Sequence, residues 1–243
     1  MNNFSCWNEL HGATPFDAEQ GLGRYGANVA TQRLLPAGYT QLDYVQNLSN
    51  SYSTYLTLNH KFNSTHSNLI IDYQVLTFSS RPILGSTNDA RTSGFRCKGD
   101  IVYYFPDSAD IGLDYMGAIH HYEIGKEKLY IDGTLIKEFT NSSNKTSVYN
   151  LLIGDCADRN HGGVPVDAKT LQKIGRVTLS YDDVLLFDLI PCKNPDGLVG
   201  FYDIVNREFR RSESGYDWSE PTLGMQFSPI IDEEHIDNTQ IPE

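Results

Sequence analysis

The side chains whose types and spacing could do chemistry lie in a few short stretches of this 243-residue chain. The longest is DCADRNHGGVPVD, Asp155 to Asp167, where Asp155, Asp158, Asn160 and Asp167 carry oxygen ligands of the kind calcium takes. Its spacing lacks the D-x-D-x-D-G order of an EF-hand, so a solvated surface loop explains the same residues more simply. No cofactor is expected, and calcium at this loop is the alternative. Without a metal, Arg159, Asn160 and His161 are suited to hydrogen-bond sugar hydroxyls. Tyr103-Tyr104 and Tyr115 could stack on a sugar ring, against the plainer role of strand tyrosines that cap a sheet. The ligand-binding set is therefore Asp155, Asp158, Arg159, Asn160, His161, Tyr103 and Tyr115.

Other constellations are weaker. His120-His121 suggests zinc or a pH switch, but adjacent strand residues point to opposite faces, so the two cannot share a metal. Asn47, Asn63, Asn141 and Asn144 begin glycosylation sequons that matter only on a secretory route. The start MNNFSCWNELHG has neither a basic nor an apolar leader region, and no apolar run approaches the roughly 20 residues of a membrane span. Cys6, Cys97, Cys156 and Cys192 are far apart and form no C-x-x-C, which reads as free thiols of a protein made in a reducing cytoplasm. A formal charge of −12 and a pI near 4.9 argue against nucleic acid and against an anionic membrane as partners. No nucleophile elbow and no P-loop occur.

The elements that must position these residues are strands. HHYEIGKEKLYIDGTLIKEF, His120 to Phe139, contains Asp132-Gly133, the strongest short hairpin signal, because both residues tolerate positive φ. Gly125-Lys126 fits a second two-residue loop with glycine first. Both turns taken together place Tyr122 opposite Leu129 and Leu129 opposite Ile136, an apolar row across three strands. On the other face Glu123 meets Lys128, while His121, Tyr130 and Leu135 line up. Further strands are expected over Asn68 to Phe78, Pro82 to Gly85, Phe95 to Cys97, Asp100 to Phe105, Val148 to Gly154, Lys173 to Ser180, Val184 to Ile190, Leu198 to Asp203 and Glu208 to Arg211. Short strands punctuated by turns, with hardly a helix among them, describe an all-β sandwich or barrel. Residues 1–34 carry Phe4, Trp7, Leu10, Phe16 and Tyr25 without a sustained period. That composition suits an arm docked on a partner, with a short helix over Ala27 to Leu35. Residues 218–243 hold three prolines and the run Asp232-Glu233-Glu234, and read as an acidic extended tail.

Two stretches resemble a known family. LPAGYTQLDYV, Leu35 to Val45, is similar to the opening LP-x-GY-x-x-L-x-Y-I of proteins from bacteria-infecting viruses and gut bacteria. LIPCKNPDGLVGFYDIVNREF, Leu189 to Phe209, resembles their closing segment, and the YIDG of Tyr130 to Gly133 sits between them as in that family. The resemblance is to concanavalin A-like, or laminin G-like, domains. It implies an antiparallel two-sheet jelly-roll sandwich over 35–217, with the first and last strands, Tyr39 to Val45 and Leu198 to Asp203, as neighbours. Glycosidases of this fold carry E-x-D-x-E, with two carboxylates about 5 Å apart on one strand face. Here the nearest string, Glu123-Ile-Gly-Lys-Glu127, has Gly125 at the middle position and a turn through it, so no enzyme activity is expected. The function implied is that of a bacteriophage virion structural protein, assembled in the bacterial cytoplasm and displaying a lectin-like module for adhesion to host surface glycans. Its partners would be other virion proteins, through 1–34 and the tail 218–243, together with copies of itself as a homo-oligomer. The rivals are a purely architectural capsid or tail decoration protein and a capsule-degrading glycosidase.

Overall fold

The computed structural model describes residues 35–47, 54–76, 84–87, 94–97, 101–104, 107–110, 118–140, 146–157 and 171–221. Its strands, in chain order, are β1 (Thr40–Gln41), β2 (Val45–Asn47), β3 (Leu56–Leu58), β4 (Ser67–Val75), β5 (Leu84–Thr87), β6 (Gly94–Cys97), β7 (Ile101–Tyr104), β8 (Asp107–Asp110), β9 (His120–Gly125), β10 (Lys128–Ile131), β11 (Thr134–Glu138), β12 (Leu151–Ile153), β13 (Cys156–Ala157), β14 (Gln172–Tyr181), β15 (Val184–Lys193), β16 (Val199–Asp203) and β17 (Glu208–Arg210). The larger sheet runs β11-β10-β9-β4-β14-β15-β16-β17, with β1 added to β15 and β2 to β14. The smaller runs β3-β12-β5-β6-β7-β8, with β13 parallel to β5. The two pack face to face, so the all-β sandwich expected from the sequence is the fold, and the described residues contain no helix.

The core follows from strand alternation. Leu69, Ile71, Tyr73 and Val75 of β4 meet Ile174, Val177 and Leu179 of β14, and Leu56, Leu58, Leu151 and Ile153 cover them from the other sheet. Each such side chain contributes roughly 1.5–3 kcal/mol on burial. Ile174 and Val177 are three apart yet both inward, because the β4–β14 register shifts between them at Gly175-Arg176. A bulge absorbs the extra residue and restores the period. At Gly175 a Cβ would lie 2.7 Å from the Asp72 Cβ, so only glycine fits there.

A second, smaller cluster lies on the opposite face of β15 and β16. Ile190, Cys192 and Tyr202 are covered there by Leu35, Tyr39, Ile204 and Phe209. Burial pushes the Cys192 thiol up to about 12, and Cys156 is buried as well.

Several expectations are corrected. The β9–β10 turn is Lys126-Glu127, at φ 46° and 65°, and not Gly125-Lys126. Gly125 is glycine for another reason: a Cβ there would come within 2.3 Å of the Ser67 carbonyl oxygen. Tyr122 therefore faces Ile131, Leu129 faces Ile124, and Glu123 faces Tyr130 instead of Lys128. Lys128 pairs with Glu138. The apolar face survives, because the slip moves each strand by one place in opposite senses. Asp132-Gly133 turns as expected and Tyr130 faces Leu135, but a register shift then sets Leu129 opposite Lys137 and leaves Ile136 in the bulge.

The opening segment does not pair with Val199–Asp203. Both edges of β16 are taken by β15 and β17, so Thr40 and Gln41 pair with Lys193 and Cys192, and β2 pairs with β14. Tyr39 still reaches Tyr202 over the face of the sheet, ring centroids 5.3 Å apart. Residues 218–220, assigned from the sequence to the tail, are part of the sandwich. Trp218 is buried against Phe201, Ser219 bridges Gln46, and Glu220 pairs with Lys193. The Ala27 to Leu35 helix, apart from Leu35, lies outside the described residues, as does the arm 1–34.

Candidate functional site

Of the residues singled out from the sequence, Asp158, Arg159, Asn160, His161 and Tyr115 lie outside the described residues, as does Asp167. Tyr103 belongs to β7 in the smaller sheet, opposite Arg96 and Ser108, and is described as backbone alone. Asp155 follows β12 and has no exposed surface; its Oδ1 accepts the Cys156 N–H at 2.6 Å. Among the described residues no three His, Cys, Asp or Glu side chains converge to hold a metal ion.

The outer face of the larger sheet carries a polar row built by register. Asp72 of β4 lies opposite His121 of β9, and its Oδ1 is 2.7 Å from His121 Nδ1. That hydrogen bond raises the His121 pKa, helped by the charges of Asp72, Glu123 and Asp132 and opposed by burial. His120 Nδ1 is 2.6 Å from Asp132 Oδ2, while Asp132 Oδ1 accepts the His121 backbone N–H. The two histidines thus hold different carboxylates. Arg176, aimed by the bulge, donates to both oxygens of Asp188 at 2.8 and 2.6 Å. Glu123 Oε1 accepts from Asn68 at 3.0 Å, and Glu127 sits in the turn, so the two glutamates do not share a strand face. These are paired charges bound into the sheet, the arrangement that half-buried charges require.

The end of the same sheet is different. Three turns meet there. Asn63 organises the first: its Oδ1 accepts the N–H of Thr65 at 2.9 Å and of His66 at 3.1 Å. Lys126-Glu127 is tied to it by Lys126 N–H to the Ser67 carbonyl and Glu127 N–H to the Ser64 carbonyl. Asp182-Asp183, at φ 48° and 64°, joins β14 to β15, and the Asp182 N–H donates to the His66 carbonyl.

This convergence assembles a ring cluster. His66 stacks on Tyr181, centroids 5.3 Å apart and planes 19° from parallel, with its Nδ1 2.6 Å from Asp182 Oδ1. His60 meets Tyr181 edge-on at 5.4 Å, and its Nε2 is 3.2 Å from Ser67 Oγ. Burial lowers the His60 pKa, so its ring is neutral at neutral pH. Lys126 is paired with Asp183. His66 Nε2 and the Tyr181 hydroxyl hold no hydrogen bond among the described residues, and the His66 side chain is 34% exposed. Open donors and acceptors beside ring faces can bind a polyhydroxylated ligand.

Sequence reasoning missed this cluster. It found the Asp182-Asp183 turn, but His60 and His66 are more than a hundred positions from Tyr181, and only the β4–β14 pairing joins them. The strand partner of Tyr181 is Ser67, next to His66. No protein-family model, curated protein or solved structure matches this chain.

Proposed function

We propose that this chain is a structural protein of a bacterial virus whose sandwich adheres to glycans on the host surface. The reading has no catalytic step. Residues 1–34 attach the sandwich to other virion proteins. The observation that carries the reading is where the two resembling stretches go. Tyr39 of the opening stretch packs on Tyr202 and Phe209 of the closing one, at 5.3 and 5.9 Å, with Cys192 in the same cluster. Gly38 sits at φ 86°, and a Cβ on Gly200 would lie 2.4 Å from the Arg210 carbonyl oxygen. Asp203 Oδ1 accepts the N–H of Val205 and of Asn206, fixing the turn to β17. The shared residues thus act as one packing unit, which supports a kinship of fold with those viral and bacterial proteins. It also leaves ligand binding to other parts of the chain.

The test is binding of the purified full chain to a panel of bacterial strains and to polysaccharides extracted from their surfaces. Saturable binding to a strain, competed away by its own polysaccharide, is expected. A chain that enters virus particles yet binds no strain would be an architectural piece, and the adhesion reading would fail.

A further inference from the structure

We infer that the end of the larger sheet, where the 63–66, 126–127 and 182–183 turns meet, binds an uncharged sugar residue. The inference deepens the adhesion reading and rests on it. Three observations lead there.

The first is a contrast in how polar groups are used. On the sheet's outer face, Asp72, Asp188 and Glu123 all have side-chain partners. At the end of the sheet, His66 Nε2 and the Tyr181 hydroxyl are uncommitted among the described residues, and both are at least partly exposed. An imidazole whose Nδ1 donates to a carboxylate presents Nε2 as an acceptor, and a phenol is both donor and acceptor, which matches the mixed demands of sugar hydroxyls.

The second is apolar surface beside those groups. The His66–Tyr181 stack and the edge-on His60 ring give a C–H-bearing sugar face something to lie against. Val184 is the strand partner of Tyr181, and Val184 and Leu185 are 63% and 45% exposed. Through that pairing Val184 shares the Tyr181 face, while Leu185, the next residue of the strand, points to the other one, so an open aliphatic side chain lies beside the polar ring edges and suits an amphipathic ligand.

The third is charge. Asp182 and Asp183 flank the rings, the nearby Lys126 is held by Asp183, and the chain carries −12. Those carboxylates would repel a uronate or any other acidic sugar, and long-range repulsion would slow its approach. An uncharged sugar pays no such penalty, so its binding should depend little on salt.

The experiment measures binding of the full chain, and of its His66→Ala, Tyr181→Ala and Tyr181→Phe variants, to dextran, mannan, galactan and polygalacturonate at low and high salt. One of the uncharged polymers should bind saturably and independently of salt. Both alanine variants should then lose about tenfold or more in affinity, equivalent to about 1.4 kcal/mol, and Tyr181→Phe should lose less because it keeps the ring. Thermal melting checks each variant. Should Tyr181→Ala melt early, the exposed His66→Gln variant, which leaves the ring of Tyr181 in place, carries the test. Binding of polygalacturonate alone would overturn the inference, as would an uncharged polymer bound equally by all variants. Whole cells bound equally by wild type and variants would also overturn it, while leaving the adhesion reading intact. If neither cells nor polymers bind the wild-type chain, both fall.

Discussion

His121 and His60 titrate in opposite senses, and the stability of the sandwich should record both. The Asp72 hydrogen bond raises the pKa of His121, so its contribution is fully present below the unfolded-state value near 6.5 and is lost as pH rises through the folded value. Asp72 and Glu123 face it from β4 and β9, and Asp132 from the β10–β11 turn. Burial lowers the pKa of His60, so the folded state resists protonation there and loses stability as pH falls below about 6.5. Urea midpoints across this range should therefore show His121→Gln flattening the decline as pH rises from about 6.5. His60→Gln should relieve part of the decline on the acid side. Identical pH profiles for both variants and the wild type would show that neither ring is coupled to folding.

The strands and turns show which signals in a sequence carry physical information. Asp132-Gly133 was legible because both residues adopt positive φ and a Cβ at Gly133 would meet nothing. Gly125 misled, since its glycine serves a close backbone approach to β4, a demand set by a strand more than fifty residues away. Lys126-Glu127, Asp182-Asp183 and Arg207 all hold positive φ without glycine. A non-glycine residue pays about 1–2 kcal/mol there, against about 0.5–1 kcal/mol for the extra unfolded-state freedom of glycine. Arg207 is exposed and its side chain joins no hydrogen bond among the described residues, so Arg207→Gly should raise stability by roughly 0.5 kcal/mol, read as a higher urea midpoint at unchanged slope. A lower midpoint would mean that its side chain holds the turn. β8 went unseen because Asp107–Asp110 is polar, and its strand character comes from pairing with β7. The ring cluster at the sheet end was illegible for a related reason: its members become neighbours only through the register of β4 on β14.

At the scale of the molecule, the sandwich is closed by a segment that composition assigns to the tail. Residues 212–220 run from the smaller sheet to the larger one. Glu213 accepts from the Thr57 N–H and hydroxyl at 2.9 and 2.7 Å, and its own N–H donates to the Tyr55 carbonyl. Ser219 and Gln46 then exchange two backbone hydrogen bonds at 3.1 and 2.9 Å. Between these ties Trp218 enters the core edge-on to Phe201, only 3% exposed, with its indole N–H unpartnered among the described residues. The indole therefore acts through its volume. Trp218→Ala should cost roughly 3–5 kcal/mol, and Trp218→Phe much less, because no hydrogen bond is lost with the ring nitrogen. A chain ended after residue 217 loses Trp218, the Ser219 bridge and the Lys193–Glu220 pair together, so it should melt below even Trp218→Ala. A chain ended after 221 keeps all three and should melt with the full-length protein. If both truncations melted alike, closure would rest on the Glu213 ties alone, and the strap would end before its tryptophan.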